Sequence, residues 1–217
     1  MNGEVQVFRR EIARKTIHLV GLAVPVIYFF TPRTLAVQIL AVLSTISIAL
    51  DFVRHRHRAT GHVFNGIFGG ILRSHEQDPL SKQMNSVSWF FIAATLSAAV
   101  FPKYITIMSV TMALFGDALS AIVGMQFGRR RTFRGKSFEG SSAFFLVALA
   151  VVMLFPKIAN DPREYLIGAV AAAVGTFVEL LSTDAVDDNF TVPLSIALTM
   201  WALYKWMLPA LDMQFRA

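Results

Sequence analysis

Long apolar stretches separated by short polar ones run through most of the 217-residue chain. All of these stretches except the first have a length of about 17–25 residues, the range that a helix needs to cross the hydrocarbon core of a bilayer. Prolines and groups of charged residues mark their ends. The pattern predicts about seven membrane spans, at residues 17–30, 34–53, 85–101, 104–127, 139–155, 165–181 and 191–208.

The predicted fold class is therefore all-α, a polytopic transmembrane helical bundle. We expect a single domain over residues 1–217, with the spans between residues 16 and 208, and we expect the third and fourth spans to pair as a helical hairpin. Residues 54–84 are polar and contain glycine, but apolar side chains recur in them at helical spacing. This spacing predicts a cytoplasmic segment that lies in the membrane interface.

The distribution of charge orients the predicted spans. Hydrophobic residues make up 55% of the chain, and the formal net charge is +6. Of the 20 lysines and arginines, 14 fall on the side of the N-terminus. The positive-inside rule places that side in the cytoplasm and the C-terminus outside. In such a protein the positive excess indicates contact with anionic lipid rather than nucleic acid.

The absence of cysteine narrows the chemistry further. The chain contains no cysteine, which excludes a disulfide framework, a zinc-thiolate site and a cysteine nucleophile. Catalysis would therefore depend on carboxylates, cations, hydroxyls and imidazoles.

One aspartate in the fourth apolar stretch is the first candidate for chemistry. Asp117 lies among small apolar residues at membrane depth, where an ionisable side chain is costly and is usually functional. Gly116, Ser120, Gly124 and Gly128 recur every four residues beside it, on one helix face. Such a face serves either helix packing or the close approach of a phosphate to the backbone, and the sequence leaves both open.

A basic loop follows this helix. Its cations are Arg129, Arg130, Arg131, Arg134 and Lys136, and Ser137, Glu139 and Gly140 then begin the next helix. Backbone N–H groups at a helix start bind phosphate well, although a basic loop also serves as an orientation signal. The loop is not a Walker A motif, because the position of that motif's first glycine is Arg130.

Two further clusters fall on the same predicted side of the membrane. Arg14, Lys15 and His18 share one helix face, where they would hold phosphate or anchor the helix in the interface. An acidic loop contains no lysine or arginine and supplies the oxygen ligands that Mg²⁺ prefers. Its candidates are Glu179, Asp187, Asp188 and Asn189.

These residues resemble the CTP-dependent polyprenol, phytol and diacylglycerol kinases, a family that includes dolichol kinase and is related to phosphatidate cytidylyltransferases. The resemblance covers nearly the whole chain in three motifs. They are Arg-Lys-x-x-His at residues 14–18, Gly-Asp-x-x-Ser with later glycines and Lys-Ser-x-Glu-Gly at residues 116–140, and a late Glu with Asp-Asn before Pro193. The sequence departs from the family at Met125-Gln126, where an arginine is common.

The resemblance implies transfer of the terminal phosphate of CTP to a membrane lipid alcohol, with Mg²⁺ as cofactor. Asp117 would be a metal ligand or the base, and Arg14, Lys15, His18 and Lys136 would complete the catalytic set. The expected metal ligands are Asp117, Glu179, Asp187, Asp188 and Asn189. The expected nucleotide-binding residues are Gly116, Ser120, Gly124, Gly128, Arg129, Arg130, Arg131, Lys136, Ser137, Glu139 and Gly140.

Two alternatives remain at this point. A phosphatidate-type cytidylyltransferase also uses CTP and Mg²⁺ and has related motifs. A transporter would also place charged residues at membrane depth, but we find no second polar cluster on the opposite side. The sequence does not distinguish CTP from UTP or ATP, and it leaves the lipid acceptor and the oligomeric state open.

Overall fold

The computed structural model describes residues 12–16, 18–56, 84–132, 136–182 and 187–211. Within them the chain forms seven α-helices and no strand beyond an isolated bridge between Arg131 and Ser137. The helices are α1 (Ala23–Phe30), α2 (Arg33–Arg56), α3 (Ser86–Val100), α4 (Lys103–Phe127), α5 (Phe138–Leu154), α6 (Arg163–Leu181) and α7 (Asp188–Met207). The all-α prediction is confirmed, and the predicted segment at 54–84 lies almost entirely outside the described residues.

The helix bounds agree with the apolar pattern within three residues for α2 to α7. The first predicted span differs, because residues 12–16 and 18–20 are helical and a turn at Gly21 and Leu22 separates them from α1. A Cβ on Gly21 would lie 2.8 Å from the His18 carbonyl oxygen and 3.3 Å from Leu114 Cδ2. Glycine therefore allows the turn to pack directly against α4.

Length and composition identify four stretches that suit a membrane crossing. They are Ile12–Phe30, Arg33–Arg54, Lys103–Phe127 and Arg163–Leu181, and α3 and α5 are shorter apolar helices. Large apolar side chains such as Phe30, Leu154 and Trp206 are about four-fifths exposed on the outside of the bundle. Such a surface is expected of an integral membrane protein, whose outer side chains contact lipid. The count of seven crossings and the orientation of the termini stay predictions.

Helix α4 lies at the centre of the bundle. It packs most extensively against α5, and α7 packs against α6, α3 and α4. The main core contains Tyr104, Met108 and Met112 from α4 with Phe144 from α5 and Ile196 from α7. Helix α3 contacts α2 and α7 much more than α4, so the predicted hairpin of the third and fourth spans is only a minor contact. A short connection at Pro102 joins α3 to α4. Each of these two helices nevertheless packs mainly against other helices.

Glycines allow the central helices to approach closely. A Cβ on Gly116 would lie 2.6 Å from the Phe144 ring, and a Cβ on Gly168 would lie 2.5 Å from Val152. Small residues at membrane helix interfaces permit this close packing of backbones. The packing interpretation therefore accounts for Gly116, and its contact with a nucleotide stays a prediction.

The end of the bundle away from Asp117 contains a buried carboxylate that the sequence analysis missed. Glu164 is 1% exposed and accepts hydrogen bonds from Ile158 N–H, Ala159 N–H and Tyr204 O–H at 2.9–3.0 Å. In the same connection, burial lowers the pKa of Lys157, whose ammonium donates to two carbonyls at the end of α5. Two of the three donors to Glu164 lie in the connection between α5 and α6 and the third is on α7, so Glu164 organises that turn and connects it to α7.

We predict that Gly116→Leu lowers the thermal unfolding midpoint of the detergent-solubilised protein, because the new side chain overlaps the Phe144 ring. Overpacking of this kind costs about 1–3 kcal/mol. In a Phe144→Ala background the same substitution should lower the midpoint much less, since the space is then available. Equal shifts in the two backgrounds would contradict the packing role.

Candidate functional site

Polar groups from five parts of the chain meet at one end of the bundle. They come from residues 14–18, the C-terminal half of α4, the loop between α4 and α5, the C-terminal end of α6 and the first turn of α7. The sequence predicted that these four clusters share one side, and the structure brings members of all four together. Which of them act on a substrate stays a prediction.

An ion pair connects the first cluster to α4. Lys15 Nζ donates to Asp117 Oδ2 at 2.5 Å, and the two side chains are 4% and 15% exposed. His18 Nε2 lies 3.3 Å from the same oxygen. Because both groups contact Oδ2, the carboxylate is held in one orientation, with the Lys15 charge compensating its burial. Arg14 lies beside this group and lines the same cleft as Lys15 and Asp117.

A second ion pair connects the basic loop to α6. Lys136 Nζ lies 2.5 Å from Glu179 Oε1, donates to the Glu179 carbonyl oxygen and to Ser182 Oγ, and lies 4.0 Å from Asp188 Oδ2. Glu179 is 5% exposed, and its Oε2 has no hydrogen-bond partner within the described ranges. A buried carboxylate oxygen of this kind is costly unless another ligand satisfies it. Glu179 is therefore the strongest candidate for a cation ligand.

Glu139 fixes the shape of the basic loop. Its carboxylate accepts the N–H groups of Arg129 and Arg130 at 3.2–3.4 Å. Ser137 is the N-cap of α5 and accepts the Gly140 N–H at 3.1 Å. The predicted helix start is thus correct. The side-chain oxygens of Glu139 and Ser137, however, already accept hydrogen bonds from nearby backbone N–H groups. We infer that they position the loop, and that Glu139 does not reach the nucleotide directly.

The glycine face of α4 packs on this loop. A Cβ on Gly124 would lie 2.9 Å from Ser137 Oγ, and a Cβ on Gly128 would lie 2.8 Å from it. A Cβ on Gly140 would lie 2.8 Å from the Ser120 carbonyl oxygen. Packing therefore explains the spacing from Gly116 to Gly128. Ser120, Gly124 and Gly140 also line the neighbouring cleft, so at these positions the packing and phosphate interpretations are compatible.

The cleft between these elements has a volume of about 330 Å³. Small-molecule sites usually measure about 300–1,000 Å³. Its cations are Arg14, Lys15, Arg131 and Lys136, and its carboxylates are Asp117, Glu179 and Asp188. Among the loop arginines that the structure describes, Arg131 lines the cleft, whereas Arg129 and Arg130 are exposed and lie outside this lining. Arg134 lies outside the described residues.

The start of α7 is fixed by hydrogen bonds of Asp187 that the sequence did not predict. Asp187, the N-cap of α7, accepts from Asn189 N–H at 2.8 Å, from Asn189 Nδ2 at 2.6 Å and from Ser86 Oγ at 3.0 Å. Its predicted role as a metal ligand competes with these bonds. Asp188 and Asn189, by contrast, line the small cavity beside Asp117.

A buried group at the end of α2 supports this arrangement. Asp51 accepts the Asn85 N–H at 3.0 Å and the Ser88 hydroxyl at 2.6 Å, and it pairs with Arg54 at 3.2 Å. Asn85 caps α3, and its neighbour Ser86 contacts Asp187. Asp51 was detectable from sequence, because it lies in a long apolar stretch just as Asp117 does.

The carboxylates fit a divalent cation only in part. Among the described residues, no three Asp, Glu or His side chains form a complete metal-ligand group. Mg²⁺, however, usually takes one or two protein carboxylates and completes its shell with water and substrate phosphates. Glu179, with its unsatisfied buried oxygen, and Asp188 fit this use best.

Comparison with known proteins gives three significant relatives. The chain is 28% identical to the uncharacterized protein RP860 of Rickettsia prowazekii, over 88% of this chain and 94% of the relative. It is 26% identical to CTP-dependent diacylglycerol kinase 1 of Saccharomyces cerevisiae, over 91% of this chain and 74% of that protein. The Schizosaccharomyces pombe protein of the same name is 21% identical, over 70% of this chain and 74% of its own length.

The chain is thus a distant homologue of CTP-dependent diacylglycerol kinases. No family model matches it, and no solved structure is significantly similar. The comparisons therefore support the resemblance to CTP-dependent lipid kinases. Polyprenol and phytol kinases are not among these three relatives.

We predict that Glu139→Ala loosens the basic loop, because the N–H groups of Arg129 and Arg130 lose their acceptor. Trypsin should then cleave after residues 129–131 several-fold faster in the detergent-solubilised protein. Asp161→Ala, which removes an acidic side chain at the other end of the bundle, is the matched control and should leave that rate unchanged. Unaltered cleavage of the Glu139→Ala protein would show that this contact does not hold the loop.

Proposed function

We propose that the protein is a membrane kinase that transfers the terminal phosphate of CTP to the hydroxyl group of a lipid alcohol. The observation that carries the proposal is the meeting of a basic cleft and three carboxylates at Asp117, within a bundle homologous to CTP-dependent diacylglycerol kinases. The names of the relatives favour diacylglycerol as acceptor. An isoprenoid alcohol is the second acceptor class to be tested.

The cleft suits a triphosphate. Phosphoryl transfer depends mainly on positioning the reactants and on neutralising charge, and four cations line this cleft. We assign Arg14, Lys15, Arg131 and Lys136 to the phosphates, with backbone contacts near Gly124 and Gly140. The lysines pair with Asp117 and Glu179 in the structure, so we expect nucleotide binding to redistribute these contacts.

A metal ion fits the other half of the cleft. We assign its protein ligands to Glu179 and Asp188, with Asn189 nearby. When bound, Mg²⁺ would neutralise the charge that accumulates on the phosphate oxygens. Asp187 is better placed to hold the first turn of α7, because its carboxylate already bonds to Asn189 and Ser86.

Asp117 is our candidate for the base. In the proposed step the acceptor hydroxyl oxygen forms a bond to the γ-phosphorus, and the bond from that phosphorus to the β,γ-bridging oxygen breaks. CDP leaves with the electron pair, and the hydroxyl proton passes to the Asp117 carboxylate. Lys15 and His18 contact Asp117 Oδ2, so we assign the proton to the other oxygen, Oδ1.

The direct test is incubation of purified protein with CTP, Mg²⁺ and a panel of lipid alcohols, with lipid phosphate read by mass spectrometry. The panel contains 1,2-diacylglycerol, phytol and a long-chain polyprenol. We expect one or more lipid monophosphates to form with CTP and Mg²⁺, and none after chelation of the metal. Failure of every alcohol to yield a lipid monophosphate with CTP and Mg²⁺ would exclude the proposed kinase.

With the lipid alcohol that the wild-type enzyme phosphorylates, we predict that Asp117→Asn lowers kcat by a factor of about 10²–10⁴, which is the usual contribution of a general base. Lys15→Ala should also impair the enzyme, with a raised KM for CTP, because it removes a phosphate contact and the partner of Asp117. Asp161→Asn changes a carboxylate in the connection before α6, at the other end of the bundle, and should retain wild-type rates. Full activity in Asp117→Asn would remove Asp117 from the mechanism.

A further inference from the structure

A second group of cations lies at the end of the bundle opposite Asp117. Lys103 is the first residue of α4, and Asp117 lies about 20 Å further along the same helix, at 1.5 Å per residue. Tyr28 is in the last turn of α1, and Arg33 is the first residue of α2. None of these three residues lines the basic cleft, so they lie outside the candidate active site.

Lys103 is buried at a place where a positive charge is unfavourable. The residue is 8% exposed, and its ammonium lies 5.7 Å from the centroid of the Tyr28 ring, with no hydrogen bond or ion pair to the described residues. The N-terminus of a helix has a partial positive charge, which favours anions there rather than cations. The start of α4 has no side-chain cap and no acidic residue in its first turn. Its charge and that of Lys103 therefore add together.

The acidic side chains at this end of the bundle are already paired. Glu164 accepts backbone N–H groups and the Tyr204 hydroxyl, and Asp161 forms an ion pair with Arg163 at 2.7 Å. A buried charge is costly unless a partner of opposite charge compensates it. Since the described residues do not supply that partner to Lys103, we expect a bound anion to supply it.

Two neighbouring groups are able to donate hydrogen bonds to such an anion. Tyr28 is 3% exposed, and its hydroxyl has no hydrogen-bond partner in the described part of the chain. Arg33 Nε and Nη2 donate to the carbonyl oxygens of Ala98 and Ala99 at 3.0 and 2.7 Å, which fixes the guanidinium at the end of α3. The Arg33 charge is also close enough to act on the Tyr28 hydroxyl. A buried hydroxyl without a partner indicates a missing ligand or water.

The position of these residues favours a lipid as the source of the anion. Of the stretches that suit a membrane crossing, one ends at Phe30, one begins at Arg33 and one begins at Lys103. The ends of membrane spans lie at the level of the lipid headgroups. Phe30 is 80% exposed and Leu35 is 48% exposed, so an apolar surface for acyl chains adjoins the cations.

We propose that Lys103, Tyr28 and Arg33 form a binding site for the phosphate of an anionic membrane lipid, separate from the catalytic cleft. Lys103 supplies the main charge, and the Tyr28 hydroxyl and Arg33 donate hydrogen bonds to the phosphate oxygens. The uncapped start of α4 favours the same negative charge. The bound lipid joins α1, α2 and α4 at this end of the bundle, and the proposal does not depend on the kinase function.

Thermal unfolding with defined lipids tests the site. Protein purified and delipidated in dodecyl maltoside is titrated with phosphatidylglycerol, which is anionic, or with phosphatidylcholine, which contains a phosphodiester but has no net charge. Inorganic phosphate is the third titrant. A ligand that binds only the folded protein raises its unfolding midpoint. We expect phosphatidylglycerol to raise the midpoint until the site is saturated, and the other two to leave it nearly unchanged.

Three variants locate the response. Lys103→Gln removes the charge, and we expect it to weaken the apparent affinity for phosphatidylglycerol about tenfold or more, the usual loss for a charge-assisted hydrogen bond. Tyr28→Phe removes only the hydroxyl and should weaken that affinity several-fold. Lys205→Gln is the matched control, because Lys205 is an exposed lysine near the end of α7 on the same side of the bundle. It should respond to the lipid as the wild-type protein does.

Each outcome decides for or against the site. A rise with phosphatidylglycerol that Lys103→Gln weakens and Lys205→Gln does not would support it. An equal rise with phosphatidylcholine, or equal losses in the Lys103→Gln and Lys205→Gln proteins, would reject it. An equal rise with inorganic phosphate would reject a lipid as the ligand. If Lys103→Gln does not fold, the comparison of Tyr28→Phe with Lys205→Gln decides in the same way.

Discussion

The ion pair of Lys15 with Asp117 is the interaction on which the candidate site depends. It joins residues 102 positions apart in the chain and draws the helical residues 12–16 against α4. Removing one partner of such a buried pair costs about 3–5 kcal/mol, because the other charge is left without compensation. The pair therefore closes one wall of the cleft and fixes the position of Asp117 in its lining.

A second pair, Lys136 with Glu179, holds the opposite wall in the same way. Each pair balances its own charges inside the protein. Each also contains the two kinds of group that a complex of Mg²⁺ with a nucleotide would attract, because cations bind the phosphates and carboxylates bind the metal ion. The rest of the bundle supports this arrangement. Glycines let α5 and its basic loop approach α4, Glu139 shapes that loop, and Asp187 with Ser86 fixes the first turn of α7.

Much of this arrangement was predictable from the sequence. The apolar pattern predicted six helices closely, since membrane helices are long and end at proline or charge. Because successive spans end on alternate sides of the membrane, the sequence also predicted that four site residues lie on the same side, namely Lys15, Asp117, Lys136 and Asp188. The turn at Gly21 was missed because it depends on the contact with Leu114, which no local pattern reveals.

The roles of individual polar residues were less predictable. Asp187 and Asp188 are adjacent aspartates that nothing in the sequence distinguishes. In the structure Asp187 caps α7 and Asp188 lines the site. Glu139 was predicted to bind the nucleotide, but its carboxylate bonds to the loop backbone. A carboxylate that caps a helix and one that binds a ligand have the same composition and spacing, and only their three-dimensional contacts distinguish them.

The central claim is transfer of the terminal phosphate of CTP to a lipid hydroxyl, and the position of a radioactive label tests it most directly. The purified protein is incubated with 1,2-diacylglycerol, an isoprenoid alcohol or phosphatidate, and with CTP labelled at either the α- or the γ-phosphate. The account predicts that only the γ-label enters lipid, that it enters a lipid alcohol, and that CDP is released. Entry of the α-label into phosphatidate to form a CDP-lipid, with release of pyrophosphate and no γ-label in either alcohol, would contradict it and identify a cytidylyltransferase.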